Sequence, residues 1–178
     1  YDPYLSYGDK SAKRAYRSIG INRNDFMALL QMRPDQPEDS RVLEWIAFAS
    51  NAFNVMVPFY ANVDTTPAYL ACTTGEVSTE SFYWVSRMIA AMADAAYSKS
   101  VFHIERYQLA AASAGHANIN TYDAKLRREQ DASARAALRE QANEAMADTI
   151  RGLAADTLDK VLYELSCQMK NCYSRSDA

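Results

Sequence analysis

The sequence predicts an α+β fold in which antiparallel strands come first and helices follow. Three observations carry this expectation: short extended runs separated by turn residues before residue 50, helix-spaced apolar positions after residue 80, and an Ala-rich, proline-free second half. Strands and helices are segregated along the chain and do not alternate, so a βαβ architecture is not expected.

Tyr1 to Lys13 is turn-rich and reads as a loop. Arg17 to Ile21, Phe26 to Met32 and Val42 to Ser50 read as three strands. The segments Asn22-Arg23-Asn24-Asp25 and Pro34 to Ser40 separate them with residues that end extended runs. Connections this short favour antiparallel neighbours, hence a β-meander. In Val42 to Ser50 the alternate residues Trp45, Ala47 and Ala49 are apolar, and so are Ile46 and Phe48 on the other face, so the strand is expected to be covered on both sides. Three strands cannot shield themselves on two faces, and the sheet is expected to need further strands from a larger domain. Expressed alone, the chain is expected to self-associate through the exposed sheet edge and sheet face, and a homo-oligomer is expected.

Pro67 to Cys72 suggests a short helix, and Ser78-Thr79-Glu80-Ser81 supplies caps for a helix running to about Tyr97. Its apolar positions Val85, Met88, Ile89, Met92 and Ala96 recur at three and four. A further helix is expected over Val101 to Ala117, with a break at Asn118 to Thr121. Beyond it, Ile150, Ala154, Leu158, Val161, Leu162, Leu165 and Met169 form an apolar stripe, while Lys125 to Asp131 is a solvated helical stretch or a projecting turn. Residues 1–100 thus carry the sheet and first helix, incomplete alone, and 101–178 a helical region of the same domain.

The composition narrows the function classes. With 178 residues, 49% of them hydrophobic and 23% charged, the chain supports a proper core. A net charge of −3 with interleaved signs builds no field for nucleic acid or anionic lipid. The uncharged run Trp45 to Val63 contains Ser50, Asn51, Asn54, Pro58 and Asn62, too polar for a membrane span. No secretory signal opens the sequence at Tyr1-Asp2-Pro3-Tyr4. Cys72, Cys167 and Cys172 make neither a disulfide framework nor a zinc pattern, and their odd count fits a reducing, cytoplasmic setting. His103 and His116, thirteen residues apart, would lie about 140° apart on one helix and do not form a metal pair. No metal or cofactor is expected. Spacing leaves open a dyad between Cys72 and either histidine, without local support, and no phosphate-binding or serine-elbow motif is present.

The most informative stretch joins the uncharged run to the helix that carries one embedded cation, Arg87, among Phe82, Tyr83, Trp84, Met88 and Ile89. A guanidinium buried there would need an anionic or carbonyl partner. Such a cation can hold a thiolate, a carboxylate or a substrate carbonyl; the alternative is an outward-pointing residue of an amphipathic helix. Asn51 and Asn54 are either donors to a polar substrate or the turn that ends the strand, and Asn51 reads better as the turn.

The ordered segments YDPY, SIGINR, LLQMRP, EWIAFASNAFNVMVPFYANV, STESFYWVSRMIAAMAD and HIERYQ resemble the C-terminal part of the bacterial cysteine dipeptidases, N-terminal-nucleophile hydrolases related to penicillin V acylase and bile-salt hydrolase. The resemblance covers Tyr1 to Asp123. It implies a four-layer αββα fold, a dipeptide substrate, no metal, and an acyl-enzyme on a cysteine that becomes the mature N-terminal residue, with its own α-amine as base. Residue 1 here is Tyr1, and the internal cysteines do not match that position. The chain alone is therefore expected to be inactive and the intact protein active. Ser86-Arg87 looks like the family's Ser-Arg pair at a helix start, which assigns Arg87 the role of holding the thiolate and developing oxyanion. The loop from Asn51 to Tyr60 is then expected to be a pocket wall, with Asn54 and Tyr60 as the substrate contacts. An amidase or acyltransferase of the same superfamily, or a non-catalytic helical interaction module, is the alternative at this stage.

Overall fold

Two apolar runs bounded by turn chemistry become the first two strands. A computed structural model of the chain describes residues 24–71 and 73–169. The strand expected at Arg17 to Ile21 lies outside them, as do Cys72 and Cys172. β1 (Phe26–Met32) pairs antiparallel with β2 (Val42–Phe48), Phe26 facing Phe48 and Met32 facing Val42. The connection turns at Pro34–Gln36 and through a single 3-10 turn at Glu38–Ser40.

A third strand, β3 (Val57–Tyr60), lies antiparallel on β2 and completes the order β1-β2-β3. The segment, expected as a loop, is a strand whose sequence lacks the usual signal: Pro58 interrupts it, and all four residues are apolar and buried, which removes any alternation. Proline is tolerated because β3 is an edge strand. The Ala61 amide donates inward to Val42, whereas the Tyr60 amide points outward to Asn143. By the two-residue period of a strand, the Pro58 nitrogen also points outward, where the ladder needs no donor.

The helices are α1 (Ala68–Ala71), α2 (Phe82–Ala95), α3 (Tyr97–Leu126) and α4 (Ala132–Ser166). The Ser81 side chain caps α2 by accepting from the Trp84 amide, and Asp131 caps α4 by accepting from Ala134. The break expected at Asn118 to Thr121 does not occur, and α3 runs through it. The polar side chains there find partners compatible with a helix: Asn118 donates across to the Ala142 carbonyl of α4 at 3.0 Å, and Thr121 donates to the Ala117 carbonyl one turn back at 2.8 Å. The polar stretch from Lys125 ends α3 and forms the turn into α4.

Helices approach both faces of the sheet, as the two-sided apolar pattern of β2 predicts. On one face α3 comes so close at Gly115 that a Cβ there would sit 2.8 Å from the Pro58 ring, so only glycine fits without displacement. On the other face Phe48 meets the Phe82 and Tyr83 rings at the start of α2. α4 lies along the free edge of β3, where Asn143 accepts from the Tyr60 amide at 2.8 Å and donates to its carbonyl at 3.0 Å. One side-chain amide thus stands in for a missing neighbouring strand. Among the described residues β1 has no such cover: Phe26, Leu30 and Met32 on one face and Leu29 on the other are all exposed. No helix among the described residues is long and apolar enough to cross a membrane.

Three tyrosines pack deep inside this frame and their hydroxyls titrate high. Burial raises Tyr60, with a further push from the Asp123 carboxylate; burial raises Tyr69 to about 12 and lifts Tyr107 further. In each case the folded value exceeds the unfolded one near 10, so the stabilisation is complete below pH 10 and is lost as pH rises toward the folded values. Stability is expected to fall above pH 10 by up to about 1.4 kcal/mol per buried tyrosine per pH unit. Urea midpoints at pH 8 and 11, beside a phenolate absorbance titration, check this. All twelve tyrosines ionising reversibly near pH 10 in the folded protein would contradict it.

Candidate functional site

The end of the sheet where β1 starts and β2 stops gathers the residues of interest. β2 ends at Phe48, and Ala49 after it makes a left-handed turn with a φ of 66°. The Ala49 amide donates to the Asp25 carbonyl at 2.9 Å, extending the ladder one step past Phe26. The chain then turns through Ser50 to Asn54, where the Phe53 and Asn54 amides both donate to the Ser50 carbonyl. The Asn54 side chain, buried, donates to the Ala49 carbonyl at 3.1 Å, and Gln108 of α3 donates to the Asn54 carbonyl at 3.1 Å. This turn is held from inside and from α3, and Asn51 falls within it, as its turn reading expects.

Arg87 reaches this end from the second turn of α2 and is neither deeply buried nor simply outward. Its side chain is 39% exposed and ion-paired with Asp25, whose Oδ1 accepts from Nη1. The same Nη1 donates to the Tyr83 hydroxyl at 3.3 Å. The guanidinium carbon lies 5.5 Å from the Tyr83 ring centre and 5.9 Å from that of Trp84. Trp84 is anchored in turn by its indole N–H on the Thr74 carbonyl at 2.8 Å. Among the described residues, Nε and Nη2 of Arg87 donate to nothing, so half of the fork remains open to an anion.

Tyr60 sits elsewhere. It pairs with Leu43, five residues and about 17 Å along β2 from Phe48. It is 2% exposed, and its hydroxyl donates to Asp123 Oδ1 at 2.7 Å. Arg33 completes this cluster, donating from Nη1 to Asp123 Oδ2 at 2.6 Å. The structure therefore brings Arg87 and Asn54 to one end of the sheet and places Tyr60 at the other. A second cluster beside it joins Asp39 to Arg135 and Arg139, and this contact, chiefly the Arg135 hydrogen bond, holds the Asp39 carboxyl below its usual range.

His103 and His116 point to separate partners on α3: His103 lies 3.6 Å from Glu164, and His116 rests on the Trp45 ring. Cys167 is exposed past the end of α4. Among the described residues no three His, Cys, Asp or Glu side chains are grouped to hold a metal. In the sequence Asp25 shows only as a turn residue. No local signal could reveal a partner 62 residues from Arg87, whereas the Tyr83 contact follows from its i, i+4 spacing.

Comparison with known proteins supplies the context for this cation. The sequence pattern of peptidase family C69 matches residues 1–110. The chain belongs to peptidase family C69. Among similar proteins, a dipeptidase of Bifidobacterium longum is 36% identical across 99% of this chain and 40% of its own length. A probable dipeptidase A of Streptococcus pyogenes serotype M18 is 38% identical across 99% of this chain and 36% of its own length. Dipeptidase A of Lactobacillus helveticus is 40% identical across 53% of this chain. The chain thus spans 36–40% of the length of the first two relatives. The family match includes Asp25, the Ala49 to Asn54 turn and all of α2, and α3 runs on past its end.

Proposed function

We propose that the intact protein is a cysteine-type dipeptidase and that this chain is its C-terminal part, contributing a wall of the active site with Arg87 as its cation. The half-open Arg87 fork, held on an aromatic shelf at one end of the sheet, carries this reading within a family whose relatives are named dipeptidases. The nucleophile is an N-terminal cysteine outside this chain. Its α-amine, with an ordinary pKa near 7.7 to 8.0, takes the thiol proton; the thiolate attacks the dipeptide carbonyl, the C–N bond breaks, and the leaving amine receives that proton. Water then releases the acyl group. Arg87 supplies the charge that stabilises the thiolate and the tetrahedral oxyanion. The Asn54 turn forms the adjoining wall. In the αββα arrangement, a second sheet from the rest of the protein covers the exposed Leu30 and Met32 of β1.

The test compares dipeptide hydrolysis by the full-length protein, with and without thiol alkylation, and by the 178-residue chain. Hydrolysis by the long form alone, abolished on alkylation, is expected. Hydrolysis that survives alkylation, or none in either form, overturns the reading. Preference for N-acyl amino acids over dipeptides would reassign the reaction to an amidase.

A further inference from the structure

We propose that Asp25 is the positioning residue of the Arg87 guanidinium, fixing the plane of the fork so that its open side faces the reacting group. The proposal rests on the dipeptidase reading for its kinetic consequence, while the Asp25–Arg87 bond can be tested without it. A long arginine side chain at 39% exposure has many rotamers of similar energy, and an electrostatic catalyst needs one of them. Three contacts select it. Asp25 Oδ1 and the Tyr83 hydroxyl both take Nη1, and the Tyr83 and Trp84 rings lie within 6 Å of the guanidinium carbon. A planar fork with one nitrogen tied and its carbon held over two rings has its orientation defined, and the nitrogens left over are Nε and Nη2.

Asp25 is itself well placed to impose this. Its carbonyl is locked to the Ala49 amide at the end of the β1–β2 ladder, so its Cα is as fixed as the sheet, although its side chain is 66% exposed. An ion pair this exposed adds little to stability. Its effect is therefore expected in rate and geometry, with little change in melting temperature. The carboxylate also subtracts positive potential from the site. A purely electrostatic role predicts that its removal quickens acylation, whereas positioning predicts that removal slows it.

The experiment uses the full-length protein with Asp25→Ala, Asp25→Asn, Arg87→Ala and the Asp25→Ala/Arg87→Ala double variant. Positioning predicts that Asp25→Ala lowers kcat/KM about 10-fold or more, mostly in kcat, with an unchanged melting temperature. Asp25→Asn, which keeps an oxygen acceptor, restores most of the rate, and Asp25→Ala has no further effect once Arg87 is gone. An unchanged or faster Asp25→Ala enzyme, or a full loss in the Arg87→Ala background, overturns the proposal. A second readout needs no turnover: phenylglyoxal modification of Arg87, followed by peptide mass, is expected to quicken several-fold in Asp25→Ala as Nη1 is released. Equal rates in wild type and variant overturn the proposal. A wild type without alkylation-sensitive hydrolysis fells the dipeptidase reading alone, and the modification rate still decides the Asp25–Arg87 bond.

Discussion

Replacing Arg87 by alanine in the full-length protein is expected to lower the acylation rate about 100-fold or more, the scale of losing one oxyanion-stabilising group. The guanidinium is the cation at this end of the sheet, with two nitrogens undonated among the described residues and two aromatic rings that limit its hydration. A charge held in place before the reaction costs no reorganisation when the oxyanion forms, so its removal is felt in kcat more than in KM. Arg87→Lys is expected to recover only part of the loss, because an ammonium is a point charge that cannot tie one arm to Asp25 and Tyr83 and present another. Stability should change by less than 1 kcal/mol, since the side chain is partly exposed and its ion pair is at the surface. Single-turnover acylation with a chromogenic dipeptide analogue checks this. Full activity in Arg87→Ala would remove the residue from the site.

What the sequence disclosed about this site was its chemistry, and what it hid was its assembly. β1 and β2 were legible to within two residues because turn residues bracket each run, and α2 because Ser81 and a three-four apolar spacing mark its face. β3 was hidden by its burial on both faces, which erases period-two alternation, and by Pro58, which is acceptable only on an edge that sequence cannot reveal. Asn118 and Thr121 suggested a break because such side chains compete with the backbone for hydrogen bonds. Both instead bond in ways that leave the helix intact, one of them to a carbonyl on α4, and a tertiary acceptor has no local trace. Arg87 was conspicuous as a lone cation in an apolar segment. Its partner was invisible, since Asp25 and Arg87 meet only once β2 has brought the start of β1 to the head of α2.

The same long-range logic makes Asp123 the most consequential residue for stability. Asp123→Ala is expected to cost the folded protein about 3 to 5 kcal/mol, because it leaves a buried cation without its counter-charge. Arg33 and Asp123 side chains are 11% and 9% exposed, and the carboxylate accepts from both Nη1 and Nη2 of Arg33 and from the Tyr60 hydroxyl. Without it, among the described residues, the Tyr60 hydroxyl keeps only a 3.5 Å approach to the Ile119 carbonyl, and Arg33 keeps only the Ser40 carbonyl. Arg33 Nε is already buried without a partner among the described residues, so the guanidinium is short of acceptors even before the carboxylate is removed. Set against a typical total of 5 to 15 kcal/mol, the loss is a large share of the stability. An apolar replacement of both partners, Arg33→Met with Asp123→Leu, is expected to recover much of it, since desolvating the pair offsets most of its attraction. Urea midpoints of the single and double variants distinguish these outcomes. A single-variant loss under 1 kcal/mol would mean that water reaches Arg33, and that the join between the β1–β2 hairpin and α3 rests on packing alone.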